Sequence, residues 1–171
     1  MKSWSCLPVA LGLITTAALA EEVQTSAGTL TIAPIFQGFE EPWALDFLPD
    51  ASFLVTERDG RLWHVTGEKA RQVSGVPEVY PDGQGGLLDV MIPRDFATSR
   101  EVWLTYSIEQ PAGSGTAVGK GRLSNDTGTL EGFVTLFAIP EGSSGGEGAF
   151  RRGLIRRGSS STISTAVVSM T

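Results

Sequence analysis

From Glu21 to Pro140 the apolar residues fall in short runs bounded by Gly, Pro, Asp and Asn, without the three- and four-residue spacing of a helix face. The runs are Thr29 to Phe36, Trp43 to Leu48, Ser52 to Glu57, Arg61 to Val65, Gly86 to Ile92, Glu101 to Ser107, Thr116 to Ser124 and Thr129 to Ile139. Each is predicted to be a β-strand. Leu48-Pro49-Asp50, Arg58-Asp59-Gly60, Pro81-Asp82-Gly83 and Asn125-Asp126-Thr127-Gly128 supply turn chemistry between them. Connections this short join antiparallel neighbours, because a parallel crossover needs a dozen residues or more.

The pattern repeats. Ala44-Leu45-Asp46-Phe47-Leu48-Pro49 followed by Phe53-Leu54-Val55-Thr56 matches Leu87-Leu88-Asp89-Val90-Met91-Ile92-Pro93 followed by Val102-Trp103-Leu104-Thr105, with offsets of 43 at the aspartates and 49 at the threonines. A period of about forty residues holding about four short strands is the mark of a β-propeller blade. Chance likeness among hairpins is the competing explanation.

The first twenty residues follow another pattern. Lys2 precedes a mostly apolar stretch from Cys6 to Leu19, and Ala18-Leu19-Ala20 provides the small residues a signal peptidase requires. Residues 1–20 are therefore expected to be a cleaved secretory signal, since the run is shorter than the ~20 residues of a membrane span and contains Pro8. The expected location is periplasmic or secreted, with no integral membrane segment after cleavage. Cys6, the single cysteine, leaves with the signal, so the mature chain has neither disulfides nor thiolate chemistry.

Charge excludes one class of partner and divides the chain. Thirteen basic and 19 acidic residues give a net charge of −6, a field that repels a phosphate backbone, so nucleic acid is not expected as a partner. Residues 21–150 hold 8 basic and 19 acidic residues, whereas 151–171 hold four arginines, eight Ser or Thr, and no acidic or aromatic residue. This reversal reads as foreign sequence or as a basic tail able to hold an anionic partner.

Most candidate chemistry fails on spacing. Gly119-Lys120-Gly121 lacks the upstream glycine and the following Ser or Thr of a phosphate loop. His64, the single histidine, has no partners at metal-ligand spacing and is expected to be a packed or surface residue. Asp82 to Gly86 only loosely resembles a calcium loop, and Asn125-Asp126-Thr127 matches a glycosylation triplet that chance often produces. Gly83-Gln84-Gly85-Gly86 is more informative: three glycines allow close backbone approach to a ligand around one amide that both donates and accepts. A plain loop entering the strand at Leu87 is the alternative.

Pro42 to Asp50, Val55 to Trp63, Gly83 to Val90, Pro93 to Phe96, Glu101 to Ser107 and Thr116 to Leu123 together resemble, in order and spacing, the pyrroloquinoline quinone (PQQ)-dependent aldose sugar dehydrogenases, the glucose/sorbosone dehydrogenase family. The likeness covers about residues 30–140. It implies an all-β fold, an incomplete six-bladed β-propeller of about two to three blades, with PQQ and calcium as the cofactors of the intact family. It further implies an aldose substrate oxidised at its anomeric hydroxyl to a lactone, a histidine as general base, hydride transfer to the quinone, and a separate electron acceptor. Gln84 is the one site residue carried over, as a cofactor contact. No catalytic and no metal-binding residue is transferred.

The family's His-Phe-Gly motif, which bears the base, is expected soon after Pro140, but the chain reads Gly146-Glu147-Gly148-Ala149-Phe150-Arg151-Arg152. If Ala149 is GCA followed by TTT and CGG, reading one base later spells His-Phe-Gly. A frameshift just before Ala149 is the expectation. The division is then a signal at 1–20, N-terminal blades at 21–148 and an out-of-frame or disordered tail at 149–171. The expected function is that of an N-terminal part of such a dehydrogenase, inactive alone. Two alternatives stand beside it: a small secreted binding module, and a propeller lactonase, for which no carboxylate cluster can be located.

Overall fold

The computed structural model describes residues 21–111 and 113–139, so the signal, the tail and the stretch where His-Phe-Gly is expected lie outside the described residues. The chain divides into two units, residues 1–37 and 38–171. In the first, β1 (Glu21–Thr25) and β2 (Gly28–Ile32) form an antiparallel hairpin with Thr25 opposite Gly28. The Thr25 hydroxyl donates to the Gly28 carbonyl at 2.7 Å and closes its turn. Sequence reading misses β1, because Glu21-Glu22-Val23-Gln24-Thr25 holds one aliphatic residue.

The second unit is two four-stranded antiparallel sheets, each a simple meander. β3 (Pro42–Phe47), β4 (Phe53–Glu57), β5 (Leu62–Thr66) and β6 (Lys69–Val73) form the first in chain order. β7 (Leu87–Met91), β8 (Glu101–Gln110), β9 (Gly113–Leu123) and β10 (Leu130–Ala138) form the second, with the short helix α1 (Phe96–Ser99) between β7 and β8. Residues 74–86 carry the chain from the last strand of one sheet to the first strand of the next, as propeller blades are joined. The described residues thus make two blades of an incomplete propeller. β6 is the second strand the sequence conceals: Lys69-Ala70-Arg71-Gln72 is polar because it edges the sheet, and only Val73 is buried.

The turns form as their residues dictate. At the β3–β4 corner the Leu48 N–H donates to the Ser52 carbonyl at 2.8 Å, and the Asp50 carboxylate accepts from the Ser52 hydroxyl at 2.6 Å. Between β4 and β5, Gly60 takes φ of 104° while its N–H donates to the Glu57 carbonyl at 3.0 Å.

The two sheets share one apolar layer. Leu54, Leu62 and Val73 of the first pack with Leu87, Val90, Leu104, Tyr106, Leu123 and Leu130 of the second, and Phe96 of α1 joins them. Burying each such side chain contributes roughly 1.5–3 kcal/mol. Polar bonds fix the relative register: the Thr56 hydroxyl donates to the Leu88 carbonyl at 2.6 Å, and the Asp46 carboxylate accepts the Ile92 N–H at 2.7 Å. At the outer edge Arg71 pairs with Asp126 at 3.1 Å, while across the Ser74–Thr129 bridge the Ser74 N–H donates to the Gly128 carbonyl at 3.0 Å and the Ser74 carbonyl accepts the Leu130 N–H at 2.7 Å.

The structure corrects the repeat alignment. The Thr56 hydroxyl accepts the N–H of Ala44 at 3.1 Å, and the Thr105 hydroxyl accepts the N–H of Asp89 at 3.0 Å, so the threonines are equivalent but Asp89 matches Ala44. The pairs Leu45–Val55 and Asp46–Leu54 correspond to Val90–Leu104 and Met91–Trp103. Asp46 is therefore matched by Met91, two residues beyond Asp89, and the offset grows again at the threonines because the loop from β7 to β8 is longer than the β3–β4 turn.

Asp126 gives the edge contact an acid limit. The Ser124 hydroxyl, the Gly128 N–H and Arg71 hold its carboxyl down at about 2, from an ordinary 3.8. A carboxyl lowered by folding contributes stability that is full above pH 3.8 and is lost as pH falls through about 2. Asp126→Asn is expected to be less stable than the parent at pH 6 and to approach it at pH 2, as read from urea midpoints across that range.

Candidate functional site

The Gln84 loop is built by the strands around it. Gly86 stands immediately before β7 with φ of 143°, and a Cβ there would lie 1.9 Å from the Arg58 carbonyl oxygen, so only glycine lets the chain pass. That carbonyl accepts the Leu87 N–H at 3.0 Å. At Gly85 a Cβ would meet the Tyr80 and Asp82 carbonyls and the Ser107 hydroxyl within 3 Å. Gly83 has φ of 55° with open space where a side chain would go.

Two side chains seam the loop to the sheets. Ser107, buried on β8, donates its hydroxyl to the Tyr80 carbonyl and accepts the Gly86 N–H. Its backbone continues the seam, with the Tyr80 N–H donating to the Ser107 carbonyl at 2.9 Å and the Ser107 N–H to the Gly86 carbonyl at 2.8 Å. From the first sheet, Arg58 donates through Nη1 to the Gly83 carbonyl at 3.1 Å and, longer, to the Pro81 carbonyl at 3.4 Å.

Charges crowd this end of the sheets. Glu41 accepts Arg58 Nε at 3.1 Å and Nη2 at 3.2 Å, a two-oxygen grip. Arg61 lies 2.6 Å from Glu40, 2.7 Å from Asp59 and 3.0 Å from Glu57, and these carboxylates hold its guanidinium charged. Glu57 is fully buried, accepting from Trp63 Nε1 at 2.6 Å and from the Glu40 N–H. Gln84 itself is exposed, and its amide has no partner among the described residues. The loop is thus rigid in its backbone and open at one side chain.

These residues fit one part of a PQQ site. A planar quinone can lie against the exposed Gly83 and Gln84 while the Gln84 amide donates to or accepts from its oxygens. Among the described residues no group of three or more His, Cys, Asp or Glu could hold a metal ion, so no calcium ligand is assigned to them. Nor does any described helix have the length and apolarity to cross a membrane.

His64 lies on β5 opposite Leu54, in the part of the sheet away from Arg58. Its ring contacts the Ser52 hydroxyl through Nε2 and the Thr127 hydroxyl through Nδ1, both at 2.9 Å. Burial pushes its pKa down against the opposing pull of Asp50. Ser52 gives its proton to Asp50 and is itself buried, so this chain of contacts has no nucleophile to offer and joins the sheets instead. Ser52 and Arg58 bracket β4, which separates His64 from the Gln84 loop by roughly 20 Å of strand. The two residues do not form one site. Arg58, Glu41 and Ser107 were not found as site residues from sequence, because Arg58 and Ser107 meet the loop only through side-chain contacts 21 to 27 positions distant and Glu41 acts only through Arg58.

Comparison with known proteins gives consistent relatives. The family profile described as Glucose / Sorbosone dehydrogenase matches residues 39–153. Aldose sugar dehydrogenase YliI of Escherichia coli K12 is 42% identical over 132 residues, covering 74% of this chain and 36% of that protein. The crystal structure of the soluble aldose sugar dehydrogenase from Escherichia coli in its apo form superposes with a TM-score of 0.59 at 48% identity, over 63% of this chain and 32% of that one. The PQQ-bound aldose sugar dehydrogenase from Streptomyces coelicolor shares the fold at 22% identity and a TM-score of 0.57, over 72% of this chain and 36% of that one. The chain spans about a third of the length of the curated relatives it matches.

Proposed function

This chain belongs to the glucose/sorbosone dehydrogenase family, a group of sugar-oxidising oxidoreductases, and we propose that it supplies the first two blades and one cofactor contact of a PQQ-dependent aldose dehydrogenase. The observation that carries this reading is the glycine-walled loop that fixes its own backbone to both sheets while leaving the Gln84 amide exposed and unpartnered. When bound, PQQ would accept the hydride from the anomeric carbon as the anomeric hydroxyl loses its proton to a base, leaving a lactone. Gln84 would orient the quinone by hydrogen bonding, and Gly83 beside it, facing open space, would keep a side chain off the quinone. No described residue is assigned the proton, since both ring nitrogens of His64, on β5, are engaged by the Ser52 and Thr127 hydroxyls away from the Gln84 loop.

Exposed apolar positions on the last strand favour the reading of these blades as part of a larger ring. Val134, Leu136 and Phe137 of β10 are about half exposed or more, at 50%, 49% and 61%, on an edge that a closed propeller would cover. Calcium, an electron acceptor and a secreted or periplasmic location complete the proposal. Two blades cannot close a tunnel, so the chain alone is expected to show no glucose oxidation when incubated with PQQ, calcium and an artificial electron acceptor. Turnover clearly above the protein-free blank would overturn the reading that it is inactive by itself.

A further inference from the structure

We infer that Arg58, gripped by Glu41, is the positioning residue that sets where Gln84 stands. The inference rests on the reading of Gln84 given under the proposed function, and it concerns how this chain holds that side chain. Arg58 reaches the loop from both of its ends. Its guanidinium bonds the carbonyls of Gly83, directly before Gln84, and Pro81, while its own carbonyl accepts the Leu87 N–H beyond the loop. Residues 81–86 are thereby spanned by one residue of the neighbouring sheet, with Ser107 closing the opposite side.

The donor census separates positioning from ligand binding. Arg58 gives Nε and one Nη2 proton to the two oxygens of Glu41 and both Nη1 protons to the two loop carbonyls, four of its five donors. The Glu41 carboxylate also neutralises the guanidinium at 3.0 Å. Glu41 already meets the charge and the loop carbonyls take both Nη1 protons, so Arg58 acts through the loop. The arrangement suits arginine alone: a planar fork can hold a carboxylate on one edge and carbonyls on the other, whereas a lysine ammonium offers a point charge without those directions. The clamp has work to do because Gly83 and Gly85 give the loop backbone freedom that the exposed Gln84 side chain, without a partner among the described residues, does not restrain.

The test uses the mature chain as wild type, Arg58→Lys, Arg58→Ala, Glu41→Gln and Gln84→Ala. Amide hydrogen exchange across residues 82–87 is expected to quicken about tenfold in both Arg58 variants and less in Glu41→Gln, with β8 and β9 protection unchanged. Loop exchange within twofold of wild type, in an Arg58 or Glu41 variant whose β8 and β9 remain protected, overturns the inference. PQQ affinity, read from quenching of tryptophan fluorescence, supplies the second arm. Arg58→Lys is expected to weaken PQQ binding about fivefold in the parent and to add nothing in the Gln84→Ala background. Equal weakening in both backgrounds would mean that Arg58 meets the ligand itself, and the inference falls. If Gln84→Ala leaves PQQ affinity unchanged while the loop loosens as expected, the clamp stands and the failure lies with the cofactor reading.

Discussion

Gly86→Ala is expected to lose on the order of 3 kcal/mol or more of stability, through backbone strain and overpacking together. The alanine Cβ would sit 1.9 Å from the Arg58 carbonyl oxygen and 2.8 Å from its carbonyl carbon and Cγ, at a φ of 143° that L side chains rarely adopt. None of those atoms is free to retreat. The carbonyl belongs to the β4–β5 turn and holds the Leu87 N–H at 3.0 Å, so moving it unseats the start of β7. Against a typical domain stability of about 5–15 kcal/mol this is a large fraction. Gly83→Ala is the control: its φ of 55° lies in the left-handed region but nothing stands within 4 Å of the added carbon, so about 1–2 kcal/mol is expected. Urea midpoints of the two variants measure the contrast, and a Gly86→Ala protein no less stable than Gly83→Ala would contradict it.

Glu57→Leu is expected to cost about 3–5 kcal/mol, the range for removing one partner of a buried charge pair. The carboxylate is fully buried on β4, receives the Trp63 indole N–H at 2.6 Å and the Glu40 N–H, and lies 3.0 Å from Arg61 Nε as an ion pair. Leucine fills similar space but leaves the indole and the Glu40 amide without acceptors, at about 1–3 kcal/mol for each unsatisfied group. Glu57→Gln keeps an acceptor oxygen and is expected to lose less. Arg61 retains Asp59 and Glu40 in both variants, so the difference reports the buried bonds. Thermal or urea unfolding followed by Trp63 emission is expected to give the order wild type, Glu57→Gln, Glu57→Leu. A Glu57→Leu protein as stable as wild type would show that these bonds hold nothing together.

The strands with an apolar face were legible because burial writes alternation into sequence, and the Pro, Asp and Gly turns located their ends. β1 and β6 were not, since an exposed hairpin strand and an outer edge strand bury too little to leave a pattern: β6 contributes Val73 alone. The repeat was visible but slipped by two residues at its aspartates, because similarity in composition does not record where a bulge interrupts the ladder. Gln84 could be singled out by its flanking glycines. Its supports could not, because Glu57 at the polar end of a strand reads as a surface residue and Arg58 as an ordinary turn cation. Only the folded chain shows that the first is buried and that the second reaches a carbonyl 25 positions away.

If the Gln84 loop is the quinone-facing surface of these blades, PQQ must perturb that loop before any other part of the chain. Titrating PQQ into the isotopically labelled mature chain and following amide resonances tests this most directly. Shifts are expected to concentrate at Gly83 to Gly86 and at the Gln84 side-chain amide, with little change in Gln84→Ala. Shifts centred on the His64 end of the sheets, or the same pattern at Gly83 to Gly86 with Gln84 replaced, would contradict it.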